Sequence, residues 1–237
     1  MHMKLEDMGY GVYSKGNTTI VYSYDKSDIL EKIPLDGEIG RPSDLRGRAY
    51  IYKLEDDMVV RHVVHGGAFR HITRDRFLGL GRSLRELKVS RYLIEKNVLT
   101  PEIIAIRYIR DGIFYSIWVI SRLVPNSSDL LEYVKTYQYK VPAIMEKAGM
   151  LVRRIHELGV FHPDLQIKNI LVDSDSRLWM LDLDKARYMG YVPSLARRMN
   201  INRFFRSCKK RSARGEILLP KGWEQFFLKG YSGAYSI

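Results

Sequence analysis

The sequence predicts an α+β protein of two lobes, with an antiparallel sheet in the amino-terminal lobe and a reduced helical carboxy-terminal lobe. Three observations carry this. The first part of the chain holds β-branched and aromatic runs divided by turn signals, strong helical periodicity appears only after residue 143, and Val124-Pro125-Asn126 separates the two characters. The expected lobes are therefore 1–124, β-rich with one helix, and 125–237, helical.

Thr18 to Tyr22 reads as a strand after the turn signal Lys15-Gly16-Asn17. Ala49 to Leu54 and Met58 to Val64 flank the polar Glu55-Asp56-Asp57 and read as a hairpin. Arg82 to Glu95 follows as a helix, with Leu84, Leu87, Arg91 and Ile94 on its apolar stripe. Ile103 to Ile109 and Phe114 to Leu123 form a second hairpin around Arg110-Asp111-Gly112. Beyond Asn126, Ile144, Ala148, Leu151, Val152, Ile155 and Leu158 recur at helical spacing over Ala143 to Leu158, and Gly159 supplies the stop. Asn169 to Val172 and Leu178 to Leu181 read as short strands around Asp173-Ser174-Asp175-Ser176. The remainder reads as helices broken by Pro193 and Pro220.

Composition excludes several classes. With 46% hydrophobic and 28% charged residues in 237, the chain is neither disordered nor membrane-like. Its one cysteine, Cys208, cannot form an intrachain disulfide, which points to a reducing, cytoplasmic setting. The net charge of +12 is concentrated. Between Asp184 and Glu216 there is no acidic residue, but ten basic ones: Lys185, Arg187, Arg197, Arg198, Arg203, Arg206, Lys209, Lys210, Arg211 and Arg214. Such a run favours a polyanion or is simply a solvated helix face.

The chemistry-bearing segment is His162-Pro163-Asp164-Leu165-Gln166-Ile167-Lys168-Asn169, followed by Leu181-Asp182-Leu183-Asp184. Phosphoryl transfer needs a carboxylate to orient the hydroxyl nucleophile and oxygen ligands for magnesium. Asp164 fits the first role, and Asn169 and Asp182 the second; Asp164 and Lys168 are the catalytic candidates. His156 and His162 read as structural holders of this loop. Asp184 either assists metal binding or braces Lys168 or Lys185.

These residues resemble the protein-kinase-like superfamily, whose catalytic loop has the form H-x-D-L-x-x-x-N and whose metal aspartate follows a short hairpin. The resemblance implies a two-lobed kinase fold with ATP and Mg2+ as cofactors. It puts Gly47 in the glycine loop, Arg61 in the place of the usual strand lysine and Glu86 as its helix partner, so that Gly47, Arg61 and Glu86 are the ATP-binding candidates. Lys53 is the rival to Arg61. The chain departs from the pattern in having only Gly47 in that loop and arginine at 61, although an arginine also pairs with phosphate and carboxylate. Val119 to Leu123 is expected to face adenine. Pro163 stands where regulated protein kinases carry arginine, and little chain follows Asp182 to form a peptide-docking lobe, so a small or lipid-linked acceptor is expected.

A closer resemblance runs from about Arg46 to Tyr231. Its pieces are Arg61-His62-Val63-Val64-His65-Gly66-Gly67, Arg85-Glu86, Gly112-Ile113-Phe114-Tyr115, the catalytic loop, Leu181 to Lys185, Asn202-Arg203 and Trp223 to Tyr231. Together they are similar to bacterial lipopolysaccharide-core sugar kinases, especially those acting on 3-deoxy-D-manno-octulosonic acid (Kdo). The resemblance implies transfer of the ATP γ-phosphate to the 4-hydroxyl of Kdo on lipid A, at the cytoplasmic face of the bacterial inner membrane. The basic segment Lys185–Arg214 would then meet the anionic membrane, and no nucleic acid is expected as partner. A lipopolysaccharide heptose kinase, an atypical kinase of proteins or antibiotics, and an inactive kinase-fold module that binds polyanions are the alternatives.

Overall fold

The computed structural model describes residues 4–42, 51–55, 57–63 and 77–233. The chain divides into two compact units, Met1–Arg91 with Pro101–Val124, and Tyr92–Thr100 with Pro125–Ile237.

The first unit is built on an antiparallel sheet. Its described strands are β1 (Tyr10–Lys15), β2 (Thr18–Ser23), β3 (Arg41–Pro42), β4 (Ile51–Lys53), β5 (Met58–His62), β6 (Ile103–Asp111) and β7 (Phe114–Arg122), in the spatial order β1-β2-β6-β7-β5-β4-β3. Alternation along each strand gives the sheet two apolar faces. One face carries Val119, Ile106, Tyr108 and Ile117, packed with Leu87 of the helix α2 (Gly81–Glu95). The other carries Ile20, Val60, Ile104 and Ile120, covered by Ile29 of the short helix α1 (Ile29–Lys32) and by Ile33 and Ile39.

Arg107 locks this second layer. It is fully buried in β6, donates from Nη1 to the Pro34 carbonyl (2.7 Å) and from Nη2 to that of Gly37 (2.6 Å), and lies 4.0 Å from the Trp118 ring centroid. Burial pushes its pKa down to about 10. Carbonyl dipoles and the ring's π face replace the water it has lost.

The stripe expected on α2 is rotated. Its buried residues are Ser83, Glu86, Leu87, Val89, Ser90 and Leu93, while Leu84, Arg91 and Ile94 are only half-buried. Hydrogen bonds explain the shift. Ser83 donates to the Leu80 carbonyl (3.2 Å), Ser90 donates to the Pro101 carbonyl (3.2 Å), and Glu86 has a cationic partner, so polar residues occupy an inward face that apolar periodicity cannot reveal.

In the second unit, α3 (Leu130–Thr136) is capped by Asp129, whose side chain accepts from the Glu132 amide (2.9 Å). The helix α4 (Val141–Glu157) ends at Gly159, whose φ of +74° only glycine adopts freely. It crosses α6 (Trp223–Ser232) at two glycines. A Cβ on Gly149 would lie 2.0 Å from the Phe227 carbonyl oxygen, and one on Gly230 would lie 1.9 Å from that of Glu146. Between these helices in sequence come β9 (Val160–Phe161), β10 (Ile170–Val172), β11 (Leu178–Met180), β12 (Arg187–Tyr188) and α5 (Ser194–Ala213). β10 pairs with β11 and with β8 (Ser128–Asp129), and β9 pairs with β12.

The β10–β11 turn is fixed by Asp173. Its Oδ1 accepts from the amides of Asp175 (3.0 Å) and Arg177 (2.9 Å), and its Oδ2 from Trp179 Nε1 (2.9 Å). Against burial, which would raise it, the hydrogen bonds from Trp179 and Arg177 hold this carboxyl below its ordinary pKa.

Candidate active site

The loop from His162 to Asn169 leaves β9, makes a 3-10 turn at Ile167–Asn169 and enters β10. α5 holds it at two places. Asn200 accepts from the His162 amide (3.1 Å) and donates to the His162 carbonyl (2.9 Å), and the Ser207 hydroxyl accepts from the Ile167 amide (3.0 Å). Inside the loop Leu165 and Ile167 are buried apolar anchors.

The histidines brace it. The His162 ring is fully buried and its Nε2 lies 3.1 Å from the Leu181 carbonyl oxygen, which can only accept, so Nε2 carries the proton. Burial pushes the pKa of His162 down, and the ring is neutral. His156, whose pKa burial also lowers, donates from Nε2 to Asn200 Oδ1 (3.0 Å) and accepts the Tyr231 hydroxyl at Nδ1 (2.9 Å). One asparagine thus serves both histidines and ties α4, α5 and the loop together.

Asp164 is buried with a crowded carboxylate. Oδ1 accepts from Gln166 Nε2 (2.6 Å) and from Arg203 Nη2, and Oδ2 lies 3.6 Å from Lys185 Nζ. Its backbone carbonyl accepts from Asn169 Nδ2 (2.8 Å). That bond commits the amide nitrogen of Asn169 and leaves its side-chain oxygen to act as a ligand. The Leu181 amide donates to the Asn169 carbonyl (2.8 Å), which sets Asn169 opposite Leu181 and next to Asp182. Asp182 has φ 57° and ψ 53°, a left-handed conformation that costs a non-glycine residue energy and recurs at functional sites. Lys168 is exposed and has no ion pair with a described residue.

Among the described residues, no group of three or more His, Cys, Asp or Glu is placed to hold a metal ion. Magnesium does not require one. It is bound through one or two carboxylates together with substrate phosphates and water, all oxygen ligands. The oriented Asn169 oxygen and the Asp182 carboxylate fit that donor set.

In the first unit Arg61 of β5 stands opposite Val119 of β7 and reaches Glu86 of α2, with Nη2 2.6 Å from Oε1. Glu86 is 7% exposed, so its charge is held by this pair. Lys53, on β4, is exposed and joined to no described carboxylate. Gly47 lies outside the described residues. Of the stretch expected to face adenine, the Leu123 amide already donates to the Asp57 carbonyl (2.7 Å) and the Arg122 amide to that of Glu102 (2.9 Å), which removes both as adenine donors.

Sequence reasoning gives Asn200 and Gln166 no role of their own, and it singles out Arg203 only within the resemblance, through Asn202-Arg203. Gln166 and Arg203 differ in what could have been seen: Gln166 lies within the loop, whereas Arg203 is 39 residues from Asp164 and stands among nine other basic residues. Of the two partners considered for Asp184, Lys185 turns instead to Asp164.

Residues 35–231 match the lipopolysaccharide kinase (Kdo/WaaP) family. The 3-deoxy-D-manno-octulosonic acid kinase of Vibrio parahaemolyticus serotype O3:K6 is 30% identical over 178 residues, 73% of each chain. That of Xanthomonas oryzae pv. oryzae (strain PXO99A) is 30% identical over 182 residues, 73% of this chain and 72% of the relative. The solved structure of WaaP in complex with acyl carrier protein superposes with a TM-score of 0.57 at 18% identity, over 83% of this chain and 79% of that one, and shares the kinase-like fold. Loop, hairpin and fold agree with the match along most of the length, and the chain belongs to the lipopolysaccharide kinase (Kdo/WaaP) family.

Proposed function

We propose that this protein transfers the γ-phosphate of ATP to the 4-hydroxyl of Kdo carried on lipid A. The observation that carries this reading is the presentation of Asp164, a buried carboxylate on a loop hung from Asn200 and Ser207, with Asn169 and Asp182 beside it. The kinases of Kdo among its relatives supply the acceptor.

Asp164 orients the sugar hydroxyl and takes its proton as the new oxygen–phosphorus bond forms and the bridging bond to ADP breaks. Gln166, Arg203 and Lys185 fix the carboxylate that does this. Asn169 and Asp182 would hold magnesium, which when bound neutralises phosphate charge. Lys168, exposed in the same loop, is the cation that meets the transferred phosphoryl group. Within residues 1–124, Arg61 is the phosphate-holding cation, kept in its rotamer by Glu86, and Gly47 belongs to the loop over the phosphates.

The acceptor's lipid anchor places the reaction at the cytoplasmic face of the inner membrane. No helix among the described residues is long and apolar enough to cross a membrane. Tyr188, Met189, Tyr191, Leu195 and Met199 are exposed apolar side chains within the basic segment Lys185–Arg214, a composition suited to an anionic lipid surface. Incubation with ATP, magnesium and Kdo-bearing lipid A should add the mass of one phosphoryl group to the lipid. Asp164→Asn should lower the rate by about 100-fold or more. An unchanged lipid mass with active, folded protein would overturn the reading.

A further inference from the structure

The carboxylate of Asp164 has more cationic donors around it than it can use. Arg203 offers five N–H groups and Lys185 three, against the roughly four acceptor positions of one carboxylate, one of which Gln166 already fills. The Lys185 ammonium stands 3.6 Å off, an ion pair without a close hydrogen bond. The Arg203 Nε–H is shielded from solvent and has no hydrogen-bond partner among the described residues. Both side chains are nearly half exposed, 43% for Arg203 and 48% for Lys185, whereas Asp164 is 6%. Two partly exposed cations thus converge on one buried carboxylate, in contact with the group that orients the acceptor hydroxyl. Holding a buried aspartate in place needs neither the second cation nor the surplus donors.

We propose that Arg203, assisted by Lys185, binds the carboxylate of an acidic sugar acceptor and so selects sugar acids over neutral sugars. The inference rests on the sugar-kinase reading above and deepens it. An octulosonic acid carries its carboxyl on the anomeric carbon, two ring positions from the 4-hydroxyl. A hydroxyl seated on Asp164 therefore brings the carboxylate to the groups already touching Asp164. The planar fork of a guanidinium matches a carboxylate with two parallel N–H···O bonds, which a lysine cannot do. A neutral sugar in the same place would leave the surplus donors unmet, and a site built for a charged partner rejects an analogue that lacks it.

The test pairs Arg203→Gln with two short soluble acceptors, a Kdo glycoside and its methyl ester, which keeps the ring and its hydroxyls and lacks the charge. The parent should prefer the acid. Arg203→Gln should lower kcat/KM on the acid by about 10- to 100-fold, the loss expected for a charge-assisted hydrogen bond. It should lower the ester by a clearly smaller factor, since the ester loses only the hold on Asp164 whereas the acid also loses its own partner, and leave the KM for ATP unmoved, while Arg203→Lys recovers only part of the preference. Equal losses on acid and ester would mean that Arg203 only positions Asp164, and a rise in the KM for ATP would make it a nucleotide contact; either result overturns the proposal. A parent that uses both acceptors equally would overturn it while leaving the Kdo reading intact. A parent that uses neither would remove the Kdo reading, and this inference with it.

Discussion

Arg61 shows how much a single side chain can be asked to do. Its side chain is two-thirds buried, and its 2.6 Å contact with Glu86 fixes a long, otherwise mobile chain. An arginine held in this way has already lost the rotamer freedom that gripping a phosphate would otherwise cost, which is the advantage of preorganisation. Arg61→Ala is expected to weaken ATP binding and slow turnover by about 10-fold or more, because it removes a charge-assisted contact and the cation 2.6 Å from the buried Glu86. Lys53→Ala, at an exposed position with no described carboxylate beside it, should change both by less than about 2-fold. Titration of each variant with nucleotide checks this, and the opposite ranking would transfer the role to Lys53. The residue scale also shows what a sequence makes visible. Asp164, Asn169 and Asp182 stand out because one loop and one hairpin contain them, and their spacing survives in one dimension. Asn200 and Arg203 act on the same loop from a helix whose facing is decided only when α5 packs, and as residue types they look like any polar face.

Elements were legible where side-chain pattern and environment agree. α4 buries Ile144, Ala148, Val152 and Ile155 on one stripe and is plain in the sequence, as is the β6–β7 hairpin with its turn at Gly112. β1 was not expected. It is an edge strand exposed along Val12 to Lys15, so its sequence carries no alternation to detect. α2 was expected with the wrong stripe because its inner face spends hydrogen bonds instead of apolar area. The crossing of α4 and α6 gives a sharp test of element packing. Gly149→Ala would drive a methyl group into the Phe227 carbonyl and should cost about 3 kcal/mol, the upper end of ordinary overpacking. Gly81→Ala, at the start of α2 with open space around its Cβ, should instead stabilise by about 0.5–1 kcal/mol. Denaturant midpoints of the two variants should move in opposite directions, and a neutral Gly149→Ala would show that the helices can separate without penalty.

Over the whole molecule, the basic segment is less free than its composition implies. Of its ten cations, five are in ion pairs: Lys185 and Arg203 with Asp164, Lys209 with Glu224, and Arg211 and Arg214 with Glu216. Arg187, Arg198, Arg206 and Lys210 remain exposed and outside any ion pair among the described residues. Each basic residue near an anionic bilayer contributes about 1 kcal/mol, within a Debye length of about 8 Å at physiological salt. Reversing Arg198, Arg206 and Lys210 to glutamate should therefore cut binding to vesicles containing anionic lipid by about 100-fold or more at low salt. Turnover on a soluble acceptor should stay near that of the parent. Sedimentation equal to that of the parent would leave the segment a solvated face. Reversing Lys209 and Arg211 instead would break two internal pairs and confuse attachment with folding.

The bracing of the catalytic loop also has a consequence in time. His162 waits for Asn200, 38 residues later in the chain, Asp164 waits for Arg203, and His156 waits for Tyr231, 75 residues later. A ribosome therefore releases the chemical groups well before the groups that hold them still. During that interval Asp164, Asn169 and Asp182 belong to a segment with no fixed geometry, and the growing chain has the residues of a kinase without its activity. Competence should arrive abruptly in synthesis, once α6 has emerged and closed its glycines against α4.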